Sequence, residues 1–333
     1  MPEEIEMLTV SVVVPVYNGG ETIGPAIEHL LRQSLLPKEI IVVDDGSTDQ
    51  TANILRSFGN QINVLSKTNG GPASARNEGV RVASGSLIAF TDSDCFPHED
   101  WLQELVKGFH SLEIDGIGGT VRSAVTGLLG DYVDLHGWMN PRYGSDGRIL
   151  CLVTANACVR RDALLRVNLF DERFRKPGGE DTELSVRLRC MGYKFAFVET
   201  AVVRHRHKRT IRDYLKTIAN HGEGQYILDT LWPQQISKGN PRKQIVRSAA
   251  GVGTMLRFYV SYRQQHGRKR AFLFSLLDHC QYVARIWGYR RGKQNVSSAS
   301  LQNPLTLDPG SVVYSSEHLG VDSTLLPNPD TGN

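Results

Sequence analysis

Leu87-Ile88-Ala89-Phe90-Thr91-Asp92-Ser93-Asp94-Cys95-Phe96 decides how the rest of the chain is read. Four apolar residues make a short strand buried on both faces, and two carboxylates follow at once in a polar turn. In open α/β sheets, ligands gather beyond the carboxyl ends of the strands, which is where Asp92 and Asp94 fall. Two hard oxygen donors this close suit Mg²⁺ or Mn²⁺, ions that commonly hold substrate phosphates as well. The same residues also suit an Asp-rich turn with no ligand, since Asp hydrogen-bonds its own backbone. The choice rests on what surrounds them.

Upstream, Val10 to Tyr17 reads as a buried strand, and Ile23, Ile27, Leu30 and Leu31 recur at helical spacing. Ile40 to Val43 is a second buried strand that ends in Asp44-Asp45-Gly46-Ser47. Thr48 or Asp49 is placed to cap a helix carrying Ile54, Leu55 and Phe58. Ile62 to Leu65 makes a third strand, and Gly70-Gly71-Pro72 breaks the chain before a helix over about 73–82. Downstream, Leu102, Leu105, Val106, Phe109 and Leu112 mark another amphipathic helix. Strands alternating with helices predict βαβ units, an α/β fold and a mostly parallel sheet flanked by helices.

From Arg122 to Leu150 the pattern has no clear period, as in a loop facing a substrate. Order returns with Cys151 to Val159, then a helix bearing Leu184, Leu188 and Met191 that Gly192 is placed to end. Phe195 to Val203 reads as a closing strand. The expected division is a catalytic unit over 1–209, its nucleotide half about 8–121 and its acceptor half about 122–209. A basic helical extension follows over 210–293, then a tail over 294–333 with too little apolar surface to order alone.

The chain has 333 residues, 40% of them hydrophobic, as a globular protein with a sizeable core would. A formal charge of +3 gives no reason to invoke nucleic acid. Cys95, Cys151, Cys158, Cys190 and Cys280 form no CxxC pair and are odd in number, which argues against a zinc site or a disulfide framework. Met1 to Glu6 lacks the features of a signal peptide, and no apolar run approaches the ~18 residues of a membrane span. A cytoplasmic protein is expected, with contact to the inner face of the membrane as an option.

Four blocks now stand in order: Val14-Pro15-Val16-Tyr17-Asn18, Asp44-Asp45-Gly46-Ser47, Gly71-Pro72-Ala73-Ser74-Ala75-Arg76-Asn77 and Asp92-Ser93-Asp94. Together they resemble the family-2 glycosyltransferases, which have the GT-A fold. Gly179-Glu180-Asp181-Thr182-Glu183-Leu184, with Arg187 after it, is similar to that family's acceptor-side motif. The resemblance covers roughly residues 8–207 and implies transfer of a sugar, with inversion, from a nucleoside diphosphate to an acceptor hydroxyl. UDP is the expected nucleotide, and a sugar or lipid-linked molecule the expected acceptor.

A nucleotide sugar presents a flat base, a ribose, a diphosphate and an anomeric carbon. Tyr17, at a strand end, offers a ring to the base or is an ordinary buried strand tyrosine. The resemblance puts Pro15, Tyr17, Asn18, Asp44, Asp45, Arg76 and Asp92 around the donor, with Asp45 accepting from the base. Arg76 lies at a helix start behind a glycine-rich turn, a place that attracts anions, or else is a solvated surface arginine. By the same resemblance, Asp94 ligates Mn²⁺ or Mg²⁺, and Asp181 and Glu180 are the catalytic acids, with Asp181 deprotonating the acceptor. A helix dipole keeps such a first-turn acid ionised, whether it is a base or simply a cap.

His205 and His207 lie on one face of the last strand by its period of two, and His205 is the expected metal or phosphate ligand. Ala271 to Leu277 lies between the basic cluster Arg268-Lys269-Arg270 and Arg285, Arg290, Arg291 and Lys293. That arrangement suits a helix lying in a membrane interface, or one packed on the catalytic unit with its charges solvated. Two other activities fit parts of the pattern. A nucleotidyltransferase would want a longer glycine-rich basic loop where Pro15-Val16-Tyr17-Asn18-Gly19-Gly20 stands. A binding protein of the same fold without transfer activity would be expected to have lost some of Asp45, Asp94 and Asp181.

Overall fold

The computed structural model describes residues 8–111, 113–137, 139–144, 147–207, 210–233 and 252–296. Strands and helices alternate at first: β1 (Val10–Val16), α1 (Ile23–Leu31), β2 (Glu39–Asp44), α2 (Thr51–Ser57), β3 (Asn63–Ser66), α3 (Pro72–Val82) and β4 (Leu87–Phe90). Then come β5 (Cys95–Pro97), α4 (Trp101–Ser111), β6 (Gly116–Ser123), α5 (Leu128–His136), and the hairpin β7 (Arg142–Tyr143) and β8 (Ile149–Cys151). The chain continues through β9 (Ala157–Arg160), α6 (Arg161–Arg166), α7 (Glu180–Cys190), β10 (Phe195–His205), α8 (Ile211–Leu231) and α9 (Val252–Asn295). Gly267, at φ 74°, breaks α9 into two segments.

The main sheet runs β3-β2-β1-β4-β9-β6-β10-β5. Its first four strands are parallel, as are β6 and β10, while β9 and β5 run against their neighbours. Both faces are covered, which explains why β1, β2 and β4 are apolar without alternation. Val12, Val14, Val42 and Ala89 point to one face, against α1 and α4 through Ile27, Leu30, Trp101 and Leu105. Val13, Ile41, Ile88 and Phe90 point to the other, against α3, α6 and α7 through Ala75, Val80, Leu164 and Leu184. At the C-terminus of α7, Gly192 N–H donates to Arg189 and Tyr193 N–H to Leu188, a Schellman ending with Gly192 at φ 86°.

Several local expectations change. The stretch 122–150 holds α5 and the β7–β8 hairpin, with Trp138, Ser145 and Asp146 outside the described residues. Tyr132 and Val133 of α5 pack with Tyr214, Ile218, Tyr262, Phe274 and Leu277 of α8 and α9, partners a local period cannot reveal. β10 does not close the sheet, because β5 pairs outside it. Helix α2 starts only at Thr51, whose N–H donates to Asp49 at 3.0 Å, while Thr48 N–H donates to Asn18 Oδ1. Gln294 and Asn295 finish α9, and the rest of the expected tail from 297 onward lies outside the described residues, as do Leu112, Lys208 and Arg209.

Helices α8 and α9 are joined by close backbone approach. A side-chain carbon on Gly288 would collide with the Ala219 carbonyl, and one on Gly222 with that of Arg285. Helix α9 meets α5 through polar groups. Asp278, buried, accepts from Tyr132 at 2.6 Å and from Tyr262 at 2.8 Å, with His136 Nε2 at 3.2 Å.

Candidate nucleotide and metal site

The carboxyl ends of β1, β2 and β4 converge, and hydrogen bonds knit their loops. Pro15 sits within β1 opposite Val43. Tyr17 follows the strand with 54% of its surface exposed, so it is a presented ring and not a core tyrosine. Asn18, at φ 50°, donates its N–H to Ser47 Oγ at 2.9 Å and accepts from Thr48 N–H at 2.8 Å. Asp44 Oδ1 accepts from Ser47 N–H at 2.9 Å, which closes the turn around Gly46.

Asp45 is only 3% exposed and anchors the glycine-rich turn. Its Oδ1 accepts from Gly70 N–H and Lys67 Nζ, each at 2.9 Å, and its Oδ2 from Gly71 N–H at 2.8 Å. An ionised carboxylate has about four lone-pair positions, so one remains for a ligand. Gly71, at φ 93°, is required here, because a side chain would meet the Arg175 carbonyl.

Arg76 is neither solvated nor open to the outside. It is buried, with Nη2 2.8 Å from Asp92 Oδ1 and Nη1 3.1 Å from Glu180 Oε1, and its guanidinium lies 5.7 Å from the Phe170 ring centre. Glu180 accepts a second bond from Gly178 N–H at 2.7 Å. Burial and the neighbouring Asp181 push the Glu180 carboxyl up, against the pull of Arg76 and the Gly178 amide. One guanidinium thus links the Asp92–Asp94 turn to the start of α7. There Asp181, half-buried, accepts from Thr182 N–H at 2.7 Å. Behind that helix start, the Gly178 carbonyl lies against Gly224 of α8 so closely that a side chain there would collide.

The antiparallel pairing of β5 with β10 sets His205 opposite Cys95 and so beside Asp94. His205 Nε2 is 3.3 Å from Asp94 Oδ1. Among the described residues, Asp94, Cys95 and His205 bring candidate ligand atoms within 4.8 Å of one another. Burial and the charges of Asp92 and Asp94 push the Cys95 thiol well up, and a hard cation prefers the other two donors. A carboxylate with an imidazole fits Mn²⁺ better than Mg²⁺, which holds to oxygen. The remaining His205 nitrogen, Nδ1, faces His207 Nδ1 at 2.8 Å, a contact that orients the ring. Burial and the adjacent His205 push the His207 imidazole down to about 3.

This geometry can be set beside known proteins. The model of "Glycosyl transferase family 2" matches residues 11–174. Glycosyltransferase AglE of Haloferax volcanii is 30% identical over 234 residues, 67% of this chain and 75% of its own. The chain belongs to glycosyl transferase family 2. Several other relatives of the transferase match over shorter stretches, between 22% and 38% of their own length. Two solved structures share its fold. The mannosyltransferase PcManGT of Pyrobaculum calidifontis, solved with GDP-Man and Mn²⁺, has a TM-score of 0.55 at 18% identity, over 84% of this chain and 87% of that one. Staphylococcus aureus TarS 1–349, solved with UDP-GlcNAc, has a TM-score of 0.51 at 18% identity, over 86% and 91%. Such likeness shows the GT-A fold of the transferase.

The carboxylates, Arg76 and His205 were accessible to sequence reading. Lys67 and Glu172 were not, although Asn77 Nδ2 donates to Glu172 at 2.9 Å and to the Phe170 carbonyl at 2.9 Å. Glu172 lies far from Asn77 along the chain and meets it only in space.

Proposed function

We propose that the transferase moves a sugar from a nucleoside diphosphate, UDP first among candidates, to an acceptor hydroxyl with inversion at the anomeric carbon. The observation that carries this reading is the Asp92–Arg76–Glu180 bridge, buried at Arg76 and Glu180, with Asp94 and His205 beyond one end and Asp181 beyond the other. Tyr17 offers its exposed ring to the base, the Asn18 and Asp44 loop faces the ribose, and Asp94 with His205 would hold Mn²⁺ or Mg²⁺. When bound, the ion neutralises charge gathering on the departing diphosphate. Asp181 takes the acceptor proton as the acceptor oxygen bonds to the anomeric carbon and the bond to diphosphate breaks on the opposite face. Glu180, held by Arg76, positions Asp181 and is not itself a base. The supporting likenesses are a Mn²⁺-bound and a UDP-GlcNAc-bound neighbour of the same fold.

We place the reaction in polysaccharide or glycolipid assembly, at the inner face of a membrane, with the helices of 210–293 in contact with lipid. No helix among the described residues is long and apolar enough to cross a bilayer. A panel of UDP-, GDP- and other nucleotide sugars, with and without Mn²⁺, tests the donor by thermal shift, since a ligand that binds only the folded state raises its stability. Released product separates the activities: nucleoside diphosphate for transfer, pyrophosphate for nucleotidyl transfer, neither for a binder. Stabilisation by no nucleotide sugar, or Mn²⁺-dependent UDP binding that survives in Asp94→Asn, would sink the assignment.

A further inference from the structure

Lys67 follows β3 and takes no part in the chemistry of Asp94 or Asp181. Its Nζ donates to Asp45 Oδ1 at 2.9 Å and to the Thr68 carbonyl at 2.8 Å. An ammonium carries three N–H groups, so one is left, with no partner among the described residues. Asp45 Oδ2 likewise keeps one acceptor position, because Gly71 N–H takes only the other. A donor and an acceptor therefore stand side by side, both fixed to one buried carboxylate. The Lys67 side chain is 20% exposed, so an incoming molecule can reach it.

Their place in the sheet decides which part of a nucleotide they meet. The order β3-β2-β1-β4 puts the end of β3 about 14 Å from the end of β4, at ~4.8 Å between strands. The Asp92–Asp94 turn follows β4, so a diphosphate held there leaves the Lys67 end for the base. Tyr17 lies at that end too, since Asp45 N–H donates to the Val16 carbonyl at 2.8 Å, immediately before the exposed ring. Asp45 alone does not choose among bases, because it would accept equally from a ring N–H or from an exocyclic amino group. Lys67 adds the choice. Uracil offers N3–H beside its O4 carbonyl and guanine N1–H beside O6, and each fits an acceptor next to a donor. Cytosine and adenine carry the reverse, a ring lone pair beside an amino group. With the ribose held, such a base turns its lone pair to Asp45 and its amino group to Lys67, and both contacts fail.

We propose that Lys67 selects the donor base: its free N–H bonds to the carbonyl beside the ring N–H that Asp45 accepts, which admits keto bases and rejects cytosine and adenine. This selection rests on the nucleotide-sugar reading above and says which donors the site takes. UDP, 4-thio-UDP and CDP are titrated by calorimetry, with Mn²⁺ present, into the full chain and into Lys67→Met, which keeps the apolar stem without the ammonium. In the parent, UDP should bind about a hundredfold more tightly than CDP, which fails at two hydrogen bonds to charged groups. 4-Thio-UDP keeps N3–H but replaces O4 with a weak acceptor, so it should lose about tenfold. In Lys67→Met, UDP should weaken about tenfold, and UDP and 4-thio-UDP should bind within about twofold of each other. If Lys67 only steadied Asp45, both ligands would weaken together and their ratio would persist, a result that would overturn the proposal. Equal binding of UDP and 4-thio-UDP by the parent would overturn it with no variant needed. Should GDP bind and UDP not, 6-thio-GDP takes the place of 4-thio-UDP. Nucleotide binding with an unmoved ratio removes only the role of Lys67, whereas binding of neither UDP nor GDP removes the donor reading with it.

Discussion

Arg76 contacts two carboxylates from a position almost closed to water, and its Nε is buried without a partner among the described residues. Removing it leaves Asp92 and Glu180 facing each other across a low-dielectric gap. Breaking a buried pair on one side costs about 3–5 kcal/mol. Arg76→Met should therefore lower unfolding stability on that scale in urea; a loss under about 1 kcal/mol would show that water compensates the carboxylates. Asp181 is the contrasting residue, half-buried, with its carboxylate accepting from Thr182 N–H in the first turn of α7. Asp181→Asn should leave donor affinity within about twofold while kcat falls roughly 10²-fold or more, the scale of a lost general base. Calorimetric donor binding with steady-state turnover checks it: collapsed binding with residual high turnover would make Asp181 a cap. The residue types of this site were legible in the sequence because hard carboxylates at strand ends have few other uses. The role of Arg76 was not, since its partners come from β4 and α7, far apart in the chain.

At the scale of elements, the β1–α1–β2 run and the Asp92–Asp94 turn were legible for a plain reason. A strand covered on both faces must be apolar throughout, and Val12 to Val14 and Ile40 to Val43 are. Helix α5 escaped because its buried residues, Tyr132 and Val133, face α8 and α9 across 80 or more residues of chain rather than a sheet next in order. The order of β9 and β10 escaped for the same reason, since an antiparallel insertion leaves no mark on local periodicity. The α8–α9 contact gives a prediction in which propensity and packing disagree. Gly to Ala in a helix interior should gain about 1 kcal/mol. At Gly288, however, the new carbon meets the Ala219 carbonyl, a backbone atom that cannot swing aside. Overpacking of this kind costs about 1–3 kcal/mol, so Gly288→Ala should lower the melting temperature, and a rise would show that the two helices can separate without loss.

At the scale of the whole molecule, the segment Ala271–Leu277 has a packed side and an exposed side. Ala271, Phe274, Ser275, Leu277 and Asp278 are buried against α5 and α8. Phe272, Leu273, Leu276, Val283 and Trp287 are exposed, Trp287 by 57%. At 100° per residue, Phe272, Leu276, Val283 and Trp287 fall on one stripe about 22 Å long, with Lys269 and Arg290 on the same stripe at its ends. Arg291 lies 4.7 Å over the Trp287 ring and is paired with Glu223 at 2.6 Å, so Lys269 and Arg290 carry the free positive charge at the ends of the stripe. An apolar stripe bounded by cations complements an anionic bilayer surface. Each Lys or Arg near such a surface contributes about 1 kcal/mol, and the attraction fades as the Debye length shrinks from ~10 Å at 0.1 M salt to ~3 Å at 1 M. The full chain should therefore co-sediment with phosphatidylserine-containing vesicles in low salt, be partly released in high salt, and ignore neutral vesicles. Truncation before Arg268 is a poor test, because it would also strip Phe274 and Leu277 from the core. The double substitution Phe272→Asp and Trp287→Asp touches only the exposed side and should abolish sedimentation while leaving the melting temperature and UDP–Mn²⁺ binding in place. Equal sedimentation of the variant and the parent would assign the stripe to a protein partner or to nothing.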